Sequence, residues 1–87
     1  MNEERIKAQI EVYRLKAKFL EDLWNEVCNG NGFASYKDVV DWVEKHGYRD
    51  KLSIMDLREL QGVIRMLFPM TESTKIICGC ISAYLAA

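Results

Sequence analysis

The chain has 87 residues, of which 49% are hydrophobic and 29% charged, and its formal net charge is −1. This length allows one domain, residues 1–87, and the composition is globular rather than disordered. The near-neutral charge excludes the strongly basic footprint that is typical of nucleic-acid-binding domains. With one proline and five glycines there are few helix breakers. We therefore expect an all-α fold, a small bundle of about four helices with a long N-terminal helix.

The first predicted helix runs from Glu3 to Cys28, after Asn2 as its N-cap, and the rest of the chain is organised around it. Its apolar residues are spaced alternately by four and three positions, like the a and d positions of a heptad. They are Ile6, Ile10, Tyr13, Ala17, Leu20, Trp24 and Val27. This spacing predicts one narrow apolar stripe, here called the seam, on a helix ~39 Å long. We expect the seam to pack against the third and fourth helices.

The strongest break in the sequence is the Asn-Gly-Asn-Gly run at 29–32, whose residues tolerate positive φ. Together with the residues up to Asp38, it resembles the second part of an EF-hand calcium loop. It departs from that pattern because the first ligand position falls on Val27, which has no side-chain oxygen, and because the loop closes on Asp rather than Glu. We therefore interpret the segment as a helix break followed by an N-cap at Ser35, with no metal site, and calcium sensing through this loop is a third, less favoured hypothesis.

Three further helices are predicted, each opening at a hydroxyl side chain that can cap its first turn. The second helix follows Ser35 and ends at Gly47, the third follows Ser53 and ends before Pro69, and the fourth follows Thr71. The apolar face expected for the second helix consists of Tyr36, Val39, Val40 and Val43. We expect the third helix to be buried on two sides. The fourth is apolar all round, so we expect part of its surface to meet another chain.

No constellation of residues in the sequence supports catalysis. His46 is the only histidine, and no motif pairs it with a nucleophile. Cys78 and Cys80 form a C-x-C pair in an apolar stretch, without the second pair that a zinc site commonly has. The phosphate-binding loop and the dinucleotide fingerprint are missing. We therefore predict that the protein is not an enzyme and holds no cofactor and no metal.

The sequence also bears on the compartment. The N-terminus lacks the apolar region of a signal peptide, and the apolar run at 76–87 is shorter than the ~20 residues that a membrane-spanning helix needs. The three cysteines are an odd number, whereas disulfide-stapled secreted domains more often have an even set. We expect a reduced, cytoplasmic protein without a membrane partner.

The surplus of apolar surface, on the seam and on the last helix, indicates a protein that acts by binding another protein. The leading hypothesis is a non-catalytic adaptor, regulator or inhibitor of the kind found among phage or mobile-element accessory proteins. We expect a protein partner, with a homodimer as one form of the assembly. The candidate interface residues are Trp42, Ile81, Tyr84 and Leu85.

The alternative hypothesis is a DNA-binding transcriptional regulator of the helix-turn-helix type, formed by the second and third helices. Its candidate nucleic-acid-binding residues are Arg14, Lys16, Lys18 and Arg58. The connector from Gly47 to Leu52 is longer than the roughly 3–4-residue turn of that motif. Asp56 and Glu59, near the start of the third helix, would face phosphates. Nucleic acid is therefore the less favoured partner.

Overall fold

The computed structural model describes residues 2–87, which contain four α-helices and no β-strand. The helices are α1 (Asn2–Trp24), α2 (Tyr36–Lys45), α3 (Ile54–Leu67) and α4 (Glu72–Ala86). The expected all-α bundle with a long N-terminal helix is confirmed. A π-helical turn, Asn25–Asn29, extends α1 to one residue beyond the predicted end at Cys28. None of the described helices combines the length and the hydropathy needed to cross a bilayer.

The predicted N-termini of the three shorter helices are confirmed by their capping geometry. The side chains of Ser35, Ser53 and Thr71 each accept a hydrogen bond from the backbone N–H three residues further on. At α3 the capping is reciprocal, because the Asp56 carboxylate accepts the N–H of Ser53 at 2.9 Å. Gly47 has a φ of +74°, the left-handed conformation that favours glycine at the end of a helix.

The start of α1 differs from the prediction. The helix already includes Asn2, so Asn2 is not its N-cap, and the residue before it lies outside the described range. Glu3 and Glu4 lie in the first turn as expected, where carboxylates are favoured by the helix dipole.

The core consists mainly of aromatic and branched aliphatic side chains. Its least exposed members are Phe19, Leu23, Tyr48, Leu60, Ile64 and Ile77. The ring of Phe19 lies 5.3 Å from that of Trp42 and 5.0 Å from that of Tyr48, centroid to centroid, and both contacts are edge-on. Aromatic pairs favour this geometry, so Phe19 joins α1 to α2 and to the segment that follows it.

The stripe of α1 that faces the core is not the predicted seam. Phe19 and Leu23 are 1% and 0% exposed, whereas Ile6, Ile10 and Tyr13 are 59%, 43% and 61% exposed. The expectation that the seam packs against α3 and α4 is therefore wrong for its first half, whereas Leu20 and Val27 in its second half are partly buried against the core. At about 100° per residue, Phe19 and Leu23 lie roughly a third of a turn away from the seam. They fill the core because they lie in the second half of α1, on the side that the other helices cover.

The last two helices are also less buried than expected. On α3, Leu60 and Ile64 are buried while Met55 and Met66 are each 80% exposed, so one side of this helix is covered rather than two. The chain itself covers one side of α4, at Thr74, Ile77, Cys78 and Ile81. The large apolar residue that stays exposed on the described part of α4 is Tyr84, at 59%.

Because α1 is long, the molecule measures 45 × 29 × 25 Å along its principal axes. No residue between Asn2 and Arg14 is buried, and all those up to Glu11 are exposed. We call Asn2–Arg14 the arm. The arm is helical without contributing a side chain to the core.

Candidate protein-binding surfaces

An open cleft of ≈ 520 Å³ lies between α2 and α4. Its apolar lining consists of Phe19, Val39, Val40, Val43, Tyr48, Leu52, Leu57, Cys80, Ile81 and Tyr84. Phe19 and Ile81 are buried, whereas Val40 on α2 and Tyr84 on α4 are 48% and 59% exposed. Concave, mostly apolar surfaces of this kind are typical of binding sites.

The Tyr36 side chain of α2 reaches α4 beside the cleft, at Gly79. A Cβ on Gly79 would lie 2.7 Å from the hydroxyl oxygen of Tyr36. Tyr36 is one turn before Val40 on α2, and Gly79 precedes Cys80, which lines the cleft. Because the hydroxyl is the far end of a half-exposed side chain that can move aside, Gly79 makes room for Tyr36 without fixing the spacing of the two helices.

The polar groups around the cleft suit binding rather than covalent chemistry. At its rim, Arg49 Nη1 donates to Glu44 Oε1 at 2.9 Å, and Asp50 lies nearby. Burial raises the pKa of the Cys80 thiol, so this cysteine is a poor nucleophile. The cleft lining contains no histidine that could act as its base.

The most connected titratable group is Asp22, on the core side of α1. Its Oδ2 accepts the hydroxyl of Tyr48 at 2.5 Å and the ammonium of Lys18 at 3.0 Å, and lies 3.4 Å from His46 Nδ1. The hydrogen bond from Tyr48 is the main cause that lowers the pKa of Asp22. Burial, followed by the bond to Asp22, raises the pKa of Tyr48 to about 12. This network ties the end of α2 to α1 and contains no serine or cysteine nucleophile.

The predicted interface residues are divided between core and surface. Trp42 and Ile81 are each 6% exposed, so their side chains are not accessible to a partner, and the prediction is corrected for both. Trp42 is buried because its ring fills the space between Phe19 and Phe33, whose centroid lies 5.7 Å away. Tyr84 is exposed beside the cleft, and Leu85 is partly buried against the core.

The four predicted nucleic-acid-binding residues do not form a free basic face. Lys16 Nζ lies 2.9 Å from Glu59 Oε2 and 3.2 Å from Asp56 Oδ1, and its side chain is 12% exposed. The hydrogen bond with Glu59 is the main cause that raises the pKa of Lys16. Of the other candidates, Arg14 and Lys18 each pair with a carboxylate three or four residues away on α1. The fourth, Arg58 on α3, is exposed. DNA binding remains a prediction that no contact here favours.

The loop between α1 and α2 is a capped helix break, as interpreted from the sequence. Gly32 has a φ of +70°. The Asp38 carboxylate accepts the N–H of Ala34 at 2.8 Å, and the Ser73 hydroxyl accepts the N–H of Phe33 at 2.9 Å. The closing carboxylate of the EF-hand-like segment is thus used for capping. Among the described residues, no group of three or more His, Cys, Asp or Glu side chains is placed to hold a metal ion.

The seam is a second exposed apolar surface. Besides the arm residues already described, Ala17 is exposed and Trp24 is 44% exposed. The Trp24 ring packs edge-on against Phe68 with its centroid 5.3 Å away, so the far end of the seam borders the bundle. The regular spacing in the sequence identified this stripe correctly as apolar, but only its second half contacts the core, through the partly buried Leu20 and Val27.

Comparisons of the chain with known protein-family models, with curated proteins and with solved structures find no match. The cleft and the seam are therefore the two features of the molecule from which a function is inferred.

Proposed function

We propose that the protein is a small non-catalytic adaptor, regulator or inhibitor that binds a larger protein through the cleft. The observation that carries this proposal is the cleft itself, an apolar depression with exposed Val40 and Tyr84 on its two walls. Exposed apolar patches with polar rims mark interfaces. The partner's side chains would be desolvated against Val40 and Tyr84, the situation in which interface residues contribute most to affinity.

The partner element that fits this cleft best is an amphipathic helix. The cleft is flanked by two helices, and a third helix laid in such a groove inserts apolar side chains at i, i+3, i+4 and i+7. Asp50 at the rim favours a partner helix with a basic residue beside its apolar stripe. The charges of Glu44 and Arg49 offset each other, because Arg49 Nη1 donates to Glu44 Oε1.

We place this activity in the cytoplasm, in the setting of phage or mobile-element accessory proteins. The three cysteines are unpaired thiols, which suits a reducing compartment. The accessory role rests on the binding surfaces of the chain.

A pull-down from the source cell's lysate tests the proposal, using the tagged full chain with and without nuclease. We expect a protein to be captured in stoichiometric amount by the wild type and to be lost with Val40→Glu, which puts a carboxylate in the cleft. Met66→Glu is the matched control, since Met66 is 80% exposed on α3 and outside the cleft. It should capture as much partner as the wild type, and circular dichroism should show both variants folded.

Two results would contradict the cleft as the binding site. One is capture that survives Val40→Glu, and the other is capture that Met66→Glu abolishes equally. If the captured material disappears with nuclease instead, the DNA-binding alternative replaces the proposal.

A further inference from the structure

We infer that two copies of the chain pair along α1, in antiparallel orientation, through the seam. This inference goes beyond the proposed function because it uses a different stripe of the molecule from the cleft. The arm is helical although none of its side chains is buried. The arm continues a helix that is anchored by Phe19 and Leu23, but its own turns gain no stability from packing in the core. An apolar stripe along such a helix is stabilised if a second helix covers it.

The side-chain volumes of the seam are self-complementary when two copies run in opposite directions. If the twofold axis passes beside Leu15, six of the seven seam residues, all but Val27, meet another seam residue on the partner copy, as in the layers of an antiparallel coiled coil. The facing pairs are Tyr13 with Ala17, Ile10 with Leu20, and Ile6 with Trp24. In a parallel pair Tyr13 would face Tyr13, which crowds that layer, and Ala17 would face Ala17, which leaves a gap in the next.

The charges beside the seam favour the same orientation. Lys7, Arg14 and Glu21 lie along its edge on the side away from the core, and Glu21 makes no ion pair within the described residues. Antiparallel pairing brings Lys7 of each copy beside Glu21 of the other, twice in the dimer. Arg14 lies near the twofold axis, where Glu11 of its own chain, 3.2 Å away, offsets its charge. Parallel pairing would place Glu21 beside Lys16, whose ammonium group is already bound by two carboxylates of α3.

Such a dimer has a consequence for binding. The bundles of the two copies lie towards opposite ends of the paired α1 helices, so their two clefts face a partner at two separate places. A partner with two binding helices, or a repeating assembly, is then held with higher avidity than by one cleft.

Sedimentation velocity of the full chain, from low to high micromolar concentration, tests the pairing. We expect the wild type to pass from monomer to dimer as the concentration rises. Ile10→Glu buries a carboxylate twice per dimer and should weaken association by at least about 100-fold. Met66→Glu makes the same chemical change at an exposed residue outside the seam and should dimerise like the wild type.

A charge exchange tests the antiparallel orientation. Lys7→Glu and Glu21→Lys should each weaken the dimer about tenfold, because two attractive contacts become repulsive, and the double variant should restore it. A double variant no better than either single one would overturn the antiparallel register, and a wild type that is monomeric at every concentration would overturn the pairing itself. Neither result bears on the proposal that the cleft binds a partner, because that proposal is tested separately by the loss of capture with Val40→Glu.

Discussion

The two halves of α1 form one continuous helix but differ in what stabilises them. In the second half, Phe19 and Leu23 are buried in the core, and Asp22 is bonded to Tyr48. In the arm no side chain is buried, although Ile6 and Ile10 are apolar. One helix thus carries two apolar stripes, and the stripe with the more regular spacing is the one that the core leaves exposed.

The energetic contrast between the halves is large. Burying one Phe or Leu side chain contributes about 1.5–3 kcal/mol. The arm is supported instead by local pairs such as Lys7 with Glu3, whose Nζ and Oε1 lie 3.4 Å apart on an exposed face. Pairs of this kind contribute about 0.2–0.5 kcal/mol each. The arm therefore gains far less stability from this fold than the rest of α1 does.

The largest expected effect separates the two stripes directly. Phe19→Ala removes a ring at the centre of the core and should lower the free energy of unfolding by about 3–5 kcal/mol. Tyr13→Ala removes an aromatic side chain from the seam and should change it by less than about 0.5 kcal/mol in dilute, monomeric protein. Urea denaturation of the two variants beside the wild type measures both. Similar losses for the two would mean that the seam also serves the core.

A smaller effect concerns the hydrogen bond that Asp22 receives from Tyr48. Tyr48→Phe removes a hydrogen bond to a charged group, and the free energy of unfolding should fall by about 1.5–3 kcal/mol at neutral pH. The pKa of Tyr48 is raised from 10.0 to about 12 in the folded state. Its neutral phenol therefore stabilises the fold fully below pH 10, and this contribution is lost as pH rises through about 12.

The free energy of unfolding measured from pH 9 upwards tests whether the Tyr48 phenol is the cause of this stabilisation. The wild type should lose stability between pH 10 and about 12 more steeply than Tyr48→Phe, because only the wild type has this phenol to ionise. Tyr84→Phe, a change at an exposed tyrosine, should keep the wild-type pH profile. A Tyr48→Phe profile that matches the wild type across this window would contradict the role given to Tyr48.

The smallest effect compares two lysines of α1. Lys16→Met removes the ion pairs with Asp56 and Glu59 and should cost about 1 kcal/mol, whereas Lys7→Met in the arm should change stability by less than about 0.5 kcal/mol. The Ser53 N–H is the main cause that lowers the pKa of Asp56 below its ordinary 3.8. The carboxylate's contribution is therefore present above that value and is lost as the pH falls through its lowered pKa. Urea denaturation at neutral pH and in acid measures the free energy of unfolding of both lysine variants. The extra loss in Lys16→Met should shrink in acid, and an extra loss that stays the same would contradict the role given to the Lys16 ion pairs.

The local features of the fold were predictable because they depend on neighbouring residue types. Ser53 caps a helix through groups within four residues of chain, and Gly47 ends one through its own φ. The burial of α1 was not predictable in this way, since both of its stripes have helical spacing. Which stripe faces the core depends on Trp42 and Tyr48, which enclose Phe19 from elsewhere in the chain.

The candidate site was predictable only in part. Exposed Tyr84 was expected at an interface, and Val40 was expected on the apolar face of its helix but not on a surface. Trp42 was misplaced because its position beside the predicted face of α2 left open whether its ring points inward. The cleft forms between residues far apart in sequence, and no spacing along the chain marks where α2 and α4 leave a depression.

Hydrogen exchange of the full chain, read by mass spectrometry at low and high protein concentration, tests most directly whether the two halves of α1 are stabilised differently. We predict that amides at 6–14 exchange fast in dilute protein and become protected as the concentration rises. Amides at 18–24 should be protected at both concentrations, because Phe19 and Leu23 hold that half in the core. Equal protection of both halves in dilute protein, or an arm that stays unprotected at high concentration, would contradict the account.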